Sequence, residues 1–524
     1  MQVNYGQLFL QIARRFGDKE AVVNLERNRR YSFRQFHKMT NRVARMIGER
    51  LGLGPGDVYL NILENDSMSL LSFPTLFKSN QIGAWANFRD STEEHLRMVD
   101  FVKAKAVFIE RALLDKYYTE LCQRGVKIVV MDPLAEARAG VYYFWDLVES
   151  VSDDELGIEL DPDGTSLYRF TGGTTGQGKC CIYSPRNWMA TLQYIYCFPA
   201  ENFFDPSYRH LTLMPLSHAS SLFMLWCWFK GVSHLTMNVP DLKGFCANVQ
   251  AEKVTSTMLV PTVLYRFLEV DLHQMYDLSS LKKMFYGASP MNPEKLKGLQ
   301  TKFGNIFVQA YGASETLAPV SLLATEDHVA KTPEEEKRLS SAGAPVANAE
   351  IRVMGPNGRE LPSGEIGEFW IRSEGTIRGY YQNPEATQAE FENGFWKSGD
   401  MGYRDEHGYL YIVDRKKDMI ITGGFNVYAG EVEAALLSHP SVTNAVAVGI
   451  PHAEWGEAVH AEVVLKPGAT LSAEELISFC KERIGFKAPK SVSFVEKLPM
   501  TPIGKVLRFQ VRAKYWEGRK RNVN

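Results

Sequence analysis

A nine-residue stretch rich in threonine and glycine, residues 171–179, constrains this chain more than any other feature. It contains three threonines, four glycines and one lysine, and it follows an apolar run at residues 166–170 that is typical of a buried strand. Glycines let backbone N–H groups approach an anion closely, hydroxyls add hydrogen-bond donors, and the lysine adds a mobile positive charge. A strand that leads into such a loop predicts a polyphosphate site at the end of the strand.

The same stretch nearly satisfies the P-loop pattern G-x-x-x-x-G-K-[ST]. Gly173 to Lys179 match its first seven positions, but the eighth position is Cys180. A thiol cannot replace the hard oxygen ligand that a P-loop offers to Mg²⁺. We therefore favour a different phosphate-binding loop, with a true P-loop and a purely structural turn as the alternatives.

Length and composition indicate a globular protein with more than one domain. A chain of 524 residues is too long for a single core, and 45% hydrophobic with 23% charged residues is an ordinary composition. The formal net charge of −2 shows no excess of basic residues, so no nucleic-acid partner is expected. The oligomeric state stays open, with a homodimer as one option.

Cysteine usage and apolar segments predict the cellular location. The seven cysteines are odd in number and irregularly spaced, which favours reduced thiols over a disulfide framework or a zinc site. The first residues lack the basic and apolar segments of a secretory signal. The most apolar window, residues 222–228, is too short to span a bilayer and is interpreted as a buried helix. We expect a cytoplasmic protein without an integral membrane segment.

Strand and helix signals alternate from the N-terminus to about Ala349. Ser32, for example, can cap a helix whose apolar residues keep the spacing of one face. Such alternation predicts an α/β fold. β-hairpins follow Ala349, and a compact α+β segment follows the charged residues 414–418. We expect a large N-terminal domain, residues 1–415, with parallel or mixed sheets, helices and a β-rich subdomain, and a small mobile α+β C-terminal domain, residues 416–524.

The apolar runs that follow the phosphate loop each end in a polar or glycine-containing corner. Ligands of α/β sheets bind beyond the carboxyl ends of the strands, so these corners are candidate site segments. They are Ser217-His218, Pro261-Thr262, Gly287-Ala288-Ser289-Pro290 and Tyr311-Gly312-Ala313-Ser314-Glu315-Thr316.

Five short motifs occur in order along the chain. They are residues 171–179, Gln309-Ala310-Tyr311-Gly312-Ala313-Ser314-Glu315, Lys397-Ser398-Gly399-Asp400, Asp414-Arg415-Lys416-Lys417-Asp418 and Pro499-Met500-Thr501-Pro502-Ile503-Gly504-Lys505. Together they resemble the phosphate loop, the Tyr-Gly-x-Thr-Glu, Thr-Gly-Asp and hinge motifs, and the C-terminal Pro-x-Thr-x-x-Gly-Lys motif of the adenylate-forming superfamily. That superfamily includes acyl-CoA synthetases, adenylation domains and firefly luciferase. The resemblance extends from about Tyr31 to Arg508.

The resemblance implies an ATP-dependent acid–thiol ligase that acts in two steps. A carboxylate and Mg²⁺-bound ATP give an acyl-adenylate and pyrophosphate, and the thiol of coenzyme A then attacks and releases AMP. Cations must offset the repulsion between the carboxylate and the phosphates. The implied partners are therefore a small-molecule carboxylic acid, ATP, Mg²⁺ and coenzyme A.

The resemblance also implies roles for individual residues. Lys505, Glu315 and His218 are the implied catalytic residues, and Glu315 is also the implied metal ligand. The implied ATP-binding residues are Thr171, Gly173, Thr174, Thr175, Gly176, Lys179, Gly287, Ala288, Ser289, Tyr311, Gly312, Ser314, Asp400 and Arg415. Lys417 falls on the hinge, Gly423, Gly424 and Phe425 fall on the coenzyme A channel, and His218, Ser220, Ser221 and Gly312 fall on the acyl pocket.

The acid itself is only partly constrained. No Asp or Glu occurs between Arg209 and Lys230, the region in which amino-acid-activating relatives carry an aspartate, so an α-amino acid is not expected. Aryl, alicyclic and medium-chain acids stay open. An enzyme that loads a carrier protein and a catalytically silent nucleotide-binding regulator are the alternatives.

Three departures from the family pattern lie at the predicted phosphate site. Gly178-Lys179-Cys180 stands where Pro-Lys-Gly is usual, Gly172 stands where a Ser or Thr is usual, and Ser314 replaces a threonine. We expect phosphate binding to persist because the lysine is kept.

Overall fold

The structure is a computed structural model that describes residues 1–171, 179–197, 204–239, 241–317, 319–500 and 506–517. The described residues form two compact units. The larger comprises Met1–Thr171, Lys179–Glu350 and Arg372–Phe391, and the smaller comprises Ile351–Ile371 and the residues from Glu392 onward.

Two large sheets organise the larger unit. The first has seven described strands and is parallel except at one edge; in spatial order they are Val141–Tyr143, Lys127–Val130, Ala106–Ile109, Val58–Ile62, Ile82–Trp85, Leu167–Phe170 and the antiparallel Cys180–Tyr183. The second has nine described strands, parallel in its centre and antiparallel at both edges: Ala344–Pro345, Ser321–Leu323, Phe307–Tyr311, Lys283–Gly287, Ser256–Leu259, Arg209–Thr212, Ser233–Thr236, Glu20–Asn24 and Arg29–Ser32. The predicted α/β fold class is confirmed.

Helices connect these strands in the manner of parallel sheets. The α-helices of the larger unit are Tyr5–Phe16, Phe33–Glu49, Asn65–Phe73, Thr92–Val102, Leu114–Gln123, Phe144–Glu149, Pro185–Ala190, Leu192–Cys197, Ser221–Lys230, Leu242–Glu252, Pro261–Glu269, Leu272–Met275, Pro293–Phe303, Pro333–Arg338 and Pro384–Glu390. Shorter turns of 3₁₀-helix cover Arg111–Leu113, Ser314–Thr316 and Glu326–His328, and a π-helical turn covers Pro74–Lys78.

The helix Phe33–Glu49 shows how local sequence specifies these elements. The Ser32 hydroxyl accepts a hydrogen bond from the backbone N–H of Gln35, and the Gln35 side chain accepts one from the backbone N–H of Ser32. This capping box satisfies two N–H groups that a helix start leaves without intrahelical partners. The predicted apolar face is then buried, with Phe36 fully inaccessible.

The smaller unit is built on two further sheets. One contains Ala349–Met354, Gly367–Ser373, Phe395–Arg404, Phe391–Glu392 and Leu410–Arg415. The other contains Phe425–Val427, Ile420–Thr422, Gly456–Leu465, Val442–His452 and Ser491–Phe494. Its helices are Ala429–Leu437, Ala473–Ile484 and Arg508–Ala513, with 3₁₀ turns at Lys416–Asp418 and Gly485–Lys487.

The predicted buried helix is found as Ser221–Lys230, with the side chains from Ser221 to Trp228 inaccessible. Across the described ranges, no helix is both long enough and apolar enough to cross a membrane.

Candidate functional site

The two ends of the predicted phosphate loop are held together at the edge of the seven-stranded sheet. The backbone N–H of Thr171 donates to the Lys179 carbonyl at 2.8 Å, and the N–H of Lys179 donates to the Thr171 hydroxyl at 3.1 Å. The flanking strands Leu167–Phe170 and Cys180–Tyr183 pair directly. Both ends of the loop are thereby fixed, while the predicted contacts Gly173, Thr174, Thr175 and Gly176 lie outside the described residues.

Lys179 belongs to a cluster of four side chains, which we call the Tyr380 cluster: Lys179, Glu315, Tyr380 and Glu390. The Lys179 ammonium forms an ion pair with Glu390 and lies 4.8 Å from the centre of the Tyr380 ring. The Tyr380 hydroxyl lies 2.6 Å from a Glu390 oxygen and 2.9 Å from a Glu315 oxygen. One hydroxyl hydrogen thus faces two carboxylates, and it can donate to only one of them at a time.

The charge of Glu315 is strongly influenced by its surroundings. Burial raises the pKa of this carboxyl group, whereas the Tyr380 hydroxyl and the Lys179 ammonium act in the opposite direction. The same environment raises the pKa of Tyr380, first by burial and then through the negative charge of Glu315. The ionised carboxylate of Glu315 is therefore held in an unfavourable environment that a cation would improve.

The donor set at Glu315 fits Mg²⁺ that is bound mainly through phosphate. Carboxylate oxygens are the hard ligands that Mg²⁺ prefers, and Mg²⁺ usually combines one or two of them with water and substrate phosphates. Nowhere in the described ranges do three or more His, Cys, Asp or Glu side chains form a group that could hold a metal on its own. A site completed by a nucleotide is consistent with both observations.

Two predicted corners lie side by side at the strand ends of the nine-stranded sheet. Lys283–Gly287 and Phe307–Tyr311 are adjacent parallel strands with Gly287 opposite Ala310, so Ala288-Ser289 and Gly312 follow at the same edge. A Cβ atom on Gly287 would stand 2.3 Å from the Ala310 carbonyl oxygen, so only glycine fits there. Ala288 has a φ of +67°, a strained value of the kind that concentrates at functional sites.

Tyr183 connects the phosphate-loop strand to the turn that contains Glu315. Its hydroxyl donates to the Ser314 carbonyl at 2.7 Å and accepts from Arg169 at 2.8 Å. Ser314 and Glu315 lie in one 3₁₀ turn, so the bond from Tyr183 to the Ser314 carbonyl restrains the backbone from which Glu315 projects. This connection between distant segments was not predicted from sequence.

His218 precedes the buried helix Ser221–Lys230, as expected. Burial lowers its pKa to about 4, and the nearby positive charge of Arg169 acts in the same direction, so the imidazole is neutral at pH 7. Its carbonyl oxygen accepts a hydrogen bond from the Ser221 hydroxyl at 2.6 Å, and both Ser220 and Ser221 are buried. The serine hydroxyl at Ser221 is therefore committed to the helix start.

In the smaller unit, two of the predicted ATP-binding residues form one ion pair. Asp400 and Arg415 are directly opposite on adjacent strands, and the Arg415 Nε lies 2.5 Å from an Asp400 oxygen. Asp400 is almost fully buried, whereas the side chain of Arg415 is 42% exposed. The arginine orients a carboxylate that can accept hydrogen bonds from a diol.

Two arginines, Arg508 and Arg512, bind the predicted hinge, and sequence reasoning did not assign them this role. Lys417 lies in the 3₁₀ turn Lys416–Asp418, and its carbonyl accepts a hydrogen bond from Arg512 at 3.1 Å. Arg508 forms ion pairs with Asp414, Asp418 and Glu433 at 3.5, 2.8 and 2.8 Å. In the sequence, the two aspartates of the charged run, Asp414 and Asp418, could have indicated a basic partner for this segment.

The predicted coenzyme A segment is a tight turn. Gly423 and Gly424 have φ values of +57° and +82° and join the strands Ile420–Thr422 and Phe425–Val427. Phe425 is 61% exposed and its ring centre lies 5.2 Å from that of Phe486. Lys505, the predicted catalytic lysine, lies outside the described residues.

Two family models match the chain and together cover most of it. Residues 9–381 match the model described as AMP-binding enzyme, and residues 431–505 match the AMP-binding enzyme C-terminal domain.

Curated relatives and solved structures agree with these matches. The chain is 35% identical over 427 residues to the medium/long-chain-fatty-acid–CoA ligase FadD8 of Mycobacterium tuberculosis, covering 80% of this chain and 73% of that protein. It is 31% identical over 490 residues to a feruloyl-CoA synthase of Amycolatopsis, covering 92% and 94%. The ATP-bound crystal structure of MatB from Rhodopseudomonas palustris is 25% identical with a TM-score of 0.86, covering 97% and 99%.

The predicted class of enzyme, an AMP-forming acyl-CoA synthetase that uses ATP, Mg²⁺ and coenzyme A, is confirmed at the level of the family. The family model alone spans more than half of the sequence. The chain belongs to the AMP-binding enzyme family, and the resemblance to adenylate-forming enzymes that its motifs predicted is confirmed.

Proposed function

We propose that this chain joins a carboxylic acid other than an amino acid to coenzyme A through an acyl-adenylate. The observation that carries the proposal is the Tyr380 cluster, in which a buried Glu315 and the loop-end Lys179 belong to one network. A carboxylate suited to Mg²⁺ and a cation suited to phosphate are the two groups that adenylation needs at the departing pyrophosphate. Relatives named as fatty-acid, feruloyl and 4-coumarate CoA ligases support the thiol acceptor.

In the first step, a carboxylate oxygen of the acid attacks the α-phosphorus of ATP, and pyrophosphate leaves. Lys179 exchanges Glu390 for phosphate oxygens. Glu315 would hold Mg²⁺ through a carboxylate oxygen, and the ion would supply positive charge that offsets the phosphates. Asp400, oriented by Arg415, accepts hydrogen bonds from the ribose hydroxyls. By family resemblance, Lys505 offsets the charge of the reacting carboxylate.

In the second step, the coenzyme A thiol attacks the acyl carbon and AMP leaves. The turn at Gly423-Gly424 leaves room beside the backbone for a narrow pantetheine arm. We propose that the domain boundary lies at residues 415 and 416, so that the C-terminal domain turns about Lys417 between the two steps. The C-terminal family model, which begins at residue 431, supports this division.

The acid is proposed to be aryl, alicyclic or medium-chain. His218 is neutral, and the helix that follows it is apolar, so this segment offers no carboxylate for a substrate ammonium group. The proposed location is the cytoplasm, supported by six cysteines that are free thiols in the described residues. Loading of a carrier protein is the second candidate, because the adenylation residues would be the same.

The test is acid-dependent pyrophosphate release from Mg·ATP across a panel of acids, with and without coenzyme A. Steady AMP formation that needs coenzyme A supports the proposal. Turnover that needs a carrier protein instead would establish the second candidate. ADP as the product, or no pyrophosphate with any acid, would contradict adenylation.

Lys505→Ala separates the two steps. We expect this variant to lose adenylate formation, by about a thousandfold or more, while thiolation of a supplied acyl-adenylate falls far less, because the lysine offsets charge only in the first step. Lys497→Ala, an exposed lysine of the same unit, is the matched control and should retain both steps. Equal loss of both steps in Lys505→Ala would contradict the domain rotation.

A further inference from the structure

Arg169 is a buried cation that the proposed reaction does not use. It lies on the strand Leu167–Phe170, directly before the phosphate loop, and is only 4% exposed. Its Nη2 donates to the Tyr183 hydroxyl at 2.8 Å, and its guanidinium lies 4.8 Å from the centre of that ring. Among the described residues, its Nε and Nη1 have no hydrogen-bond partner and its guanidinium forms no ion pair with a carboxylate.

A buried guanidinium in this condition needs an anion. Burying a charge is costly unless it is paired, and a donor without an acceptor adds its own desolvation cost. Arginine carries five N–H donors in a planar fork whose geometry matches a carboxylate. The uncompensated charge therefore indicates a ligand position.

Two neighbouring tryptophans add further N–H donors to this region. Trp85 is the register partner of Arg169 on the adjacent strand Ile82–Trp85, so both side chains occupy the same face of the sheet. The Trp85 ring contacts that of Trp188, with ring centres 5.7 Å apart. The indole N–H groups of both tryptophans are buried and have no partner in the part of the chain that the structure describes. This face therefore presents N–H groups from three side chains and favours an oxyanion.

The location is next to the predicted acyl pocket. The positive charge of Arg169 acts on His218, and a weaker effect comes from Arg89, so two arginines contribute positive potential at this histidine. The Tyr183 hydroxyl further connects Arg169 to the carbonyl of Ser314 in the Glu315 turn. An acid held beside His218 would have Arg169 within its surroundings.

The negative charges of the proposed reaction are offset by other cations, so the charge of Arg169 is without a role in it. Under the proposed function, Lys179 and Mg²⁺ offset the pyrophosphate, and Lys505 offsets the reacting carboxylate. We propose that Arg169, assisted by the indole N–H groups of Trp85 and Trp188, binds a second carboxylate on the acid, so that the preferred substrates are dicarboxylic acids. This inference rests on the proposed function, whose acid it narrows to a chemical class.

The experiment compares each dicarboxylic acid with its own monomethyl ester, which has nearly the same shape but lacks the second charge. The pairs are adipic, phthalic, homophthalic and cyclohexane-1,2-dicarboxylic acids with their esters. We measure kcat/KM for pyrophosphate release at saturating Mg·ATP. For at least one pair, we expect the diacid to exceed its ester by tenfold or more, since a bidentate charge-assisted pair is lost in the ester.

The second part of the experiment measures the same acid and ester pairs with Arg169→Met. The diacid preference should fall to threefold or less, while turnover of the ester stays within threefold of that of the unmodified chain. Arg169→Lys, which keeps the charge but loses the fork, should retain part of the preference. Arg186→Met is the matched control, because Arg186 is an exposed arginine of the same unit that pairs with Asp163 at 2.8 Å.

Two results would overturn the inference. One is a set of pairs in which every ester is used as well as its diacid by the unmodified chain, a comparison that stands even if Arg169→Met does not fold. The other is an equal loss for diacid and ester in Arg169→Met, which would show that Arg169 only supports the Ser314 turn. If no acid of any kind releases pyrophosphate, the proposed function fails, and calorimetric binding of the diacid and ester to the unmodified chain and to Arg169→Met then tests the subsite by itself.

Discussion

Two polar clusters of the larger unit each contain a lysine, a carboxylate and a group with a shifted pKa, yet their hydrogen bonding differs. In the first, which we call the Lys78 cluster, Lys78 donates to His37 Nδ1, Thr40 and Asn41 at 3.0, 2.8 and 2.8 Å. His37 in turn contacts Glu155 at 2.8 Å. Burial lowers the pKa of Lys78 to about 7, so the ammonium readily gives up its charge.

The charges of the Tyr380 cluster are not balanced in the same way. It places two carboxylates against one hydroxyl hydrogen and balances them with the single charge of Lys179. A cation that arrives with a nucleotide would relieve this excess of negative charge. The comparison teaches that burial and a shifted pKa occur in both clusters, whereas the excess of negative charge belongs to the Tyr380 cluster, which is why we propose that cluster as the functional one.

Among changes within the two clusters, Glu315→Gln is expected to have the largest effect. Glutamine keeps the size of the side chain but removes the anionic oxygen that would hold Mg²⁺, so pyrophosphate release should fall by at least about a hundredfold. The measurement is kcat/KM for ATP over a range of Mg²⁺ concentrations.

The stability of Glu315→Gln checks the cause of that loss. Because burial raises the folded-state pKa of Glu315, the folded state binds more protons than the unfolded state, and the ionised carboxylate lowers stability at pH 7. The Tm of the variant at pH 7 should therefore equal or exceed that of the unmodified chain. A lower Tm together with lost activity would indicate that Glu315 has a structural role, and the proposed difference between the Tyr380 cluster and the Lys78 cluster would then be wrong.

A smaller effect of opposite sign is expected for Glu390→Gln. The ion pair with Glu390 competes with phosphate for Lys179, so removing the charge should tighten Mg·ATP binding by about threefold to tenfold. Binding is measured by calorimetry without the acid substrate.

Glu385→Gln is the control for this prediction, because Glu385 is exposed and lies on the same helix, Pro384–Glu390. It should leave ATP affinity unchanged. If Glu390→Gln weakens ATP binding as strongly as Glu315→Gln does, Glu390 is a ligand and not a competitor.

Much of the framework could be predicted from the sequence, because it depends on local patterns. The strand Leu167–Phe170 and the helix Phe33–Glu49, which Ser32 caps, lie where the sequence predicts them, since apolar runs and helical spacing specify such elements within a few residues. The strand Lys283–Gly287 likewise ends at the predicted corner Gly287-Ala288-Ser289-Pro290.

The parts of the candidate site that were not predicted from sequence depend on contacts between distant segments. Tyr380 lies 65 residues from Glu315, and Glu390 lies 211 residues from Lys179, and neither belongs to a chemical motif. Arg169 was hidden for a different reason: within an apolar run, an arginine is ordinarily expected on an exposed face, and only the pairing of its strand on both sides shows that it is buried.

The smallest expected effect on activity, and the sharpest test of the comparison, is that of Lys78→Met. Pyrophosphate release should stay within twofold of that of the unmodified chain, because Lys78 makes its hydrogen bonds within the Lys78 cluster. The pH dependence of stability should change instead. The folded-state pKa of about 7 lies below the ordinary value of 10.5, so between these values the unfolded state binds more protons and the free energy of unfolding rises with pH.

The unmodified chain therefore gains up to about 1.4 kcal/mol per pH unit from this one group between pH 7 and its unfolded value. Lys78→Met lacks this gain, so the difference in free energy of unfolding between the two proteins should grow from pH 7 to pH 9, as measured by urea denaturation at each pH. Lys38→Met, an exposed lysine on the helix Phe33–Glu49 paired with Asp153, should show no such growth. A difference that stays constant with pH would mean that Lys78 is charged when buried, and the Lys78 cluster would then hold unmet charge as the Tyr380 cluster does.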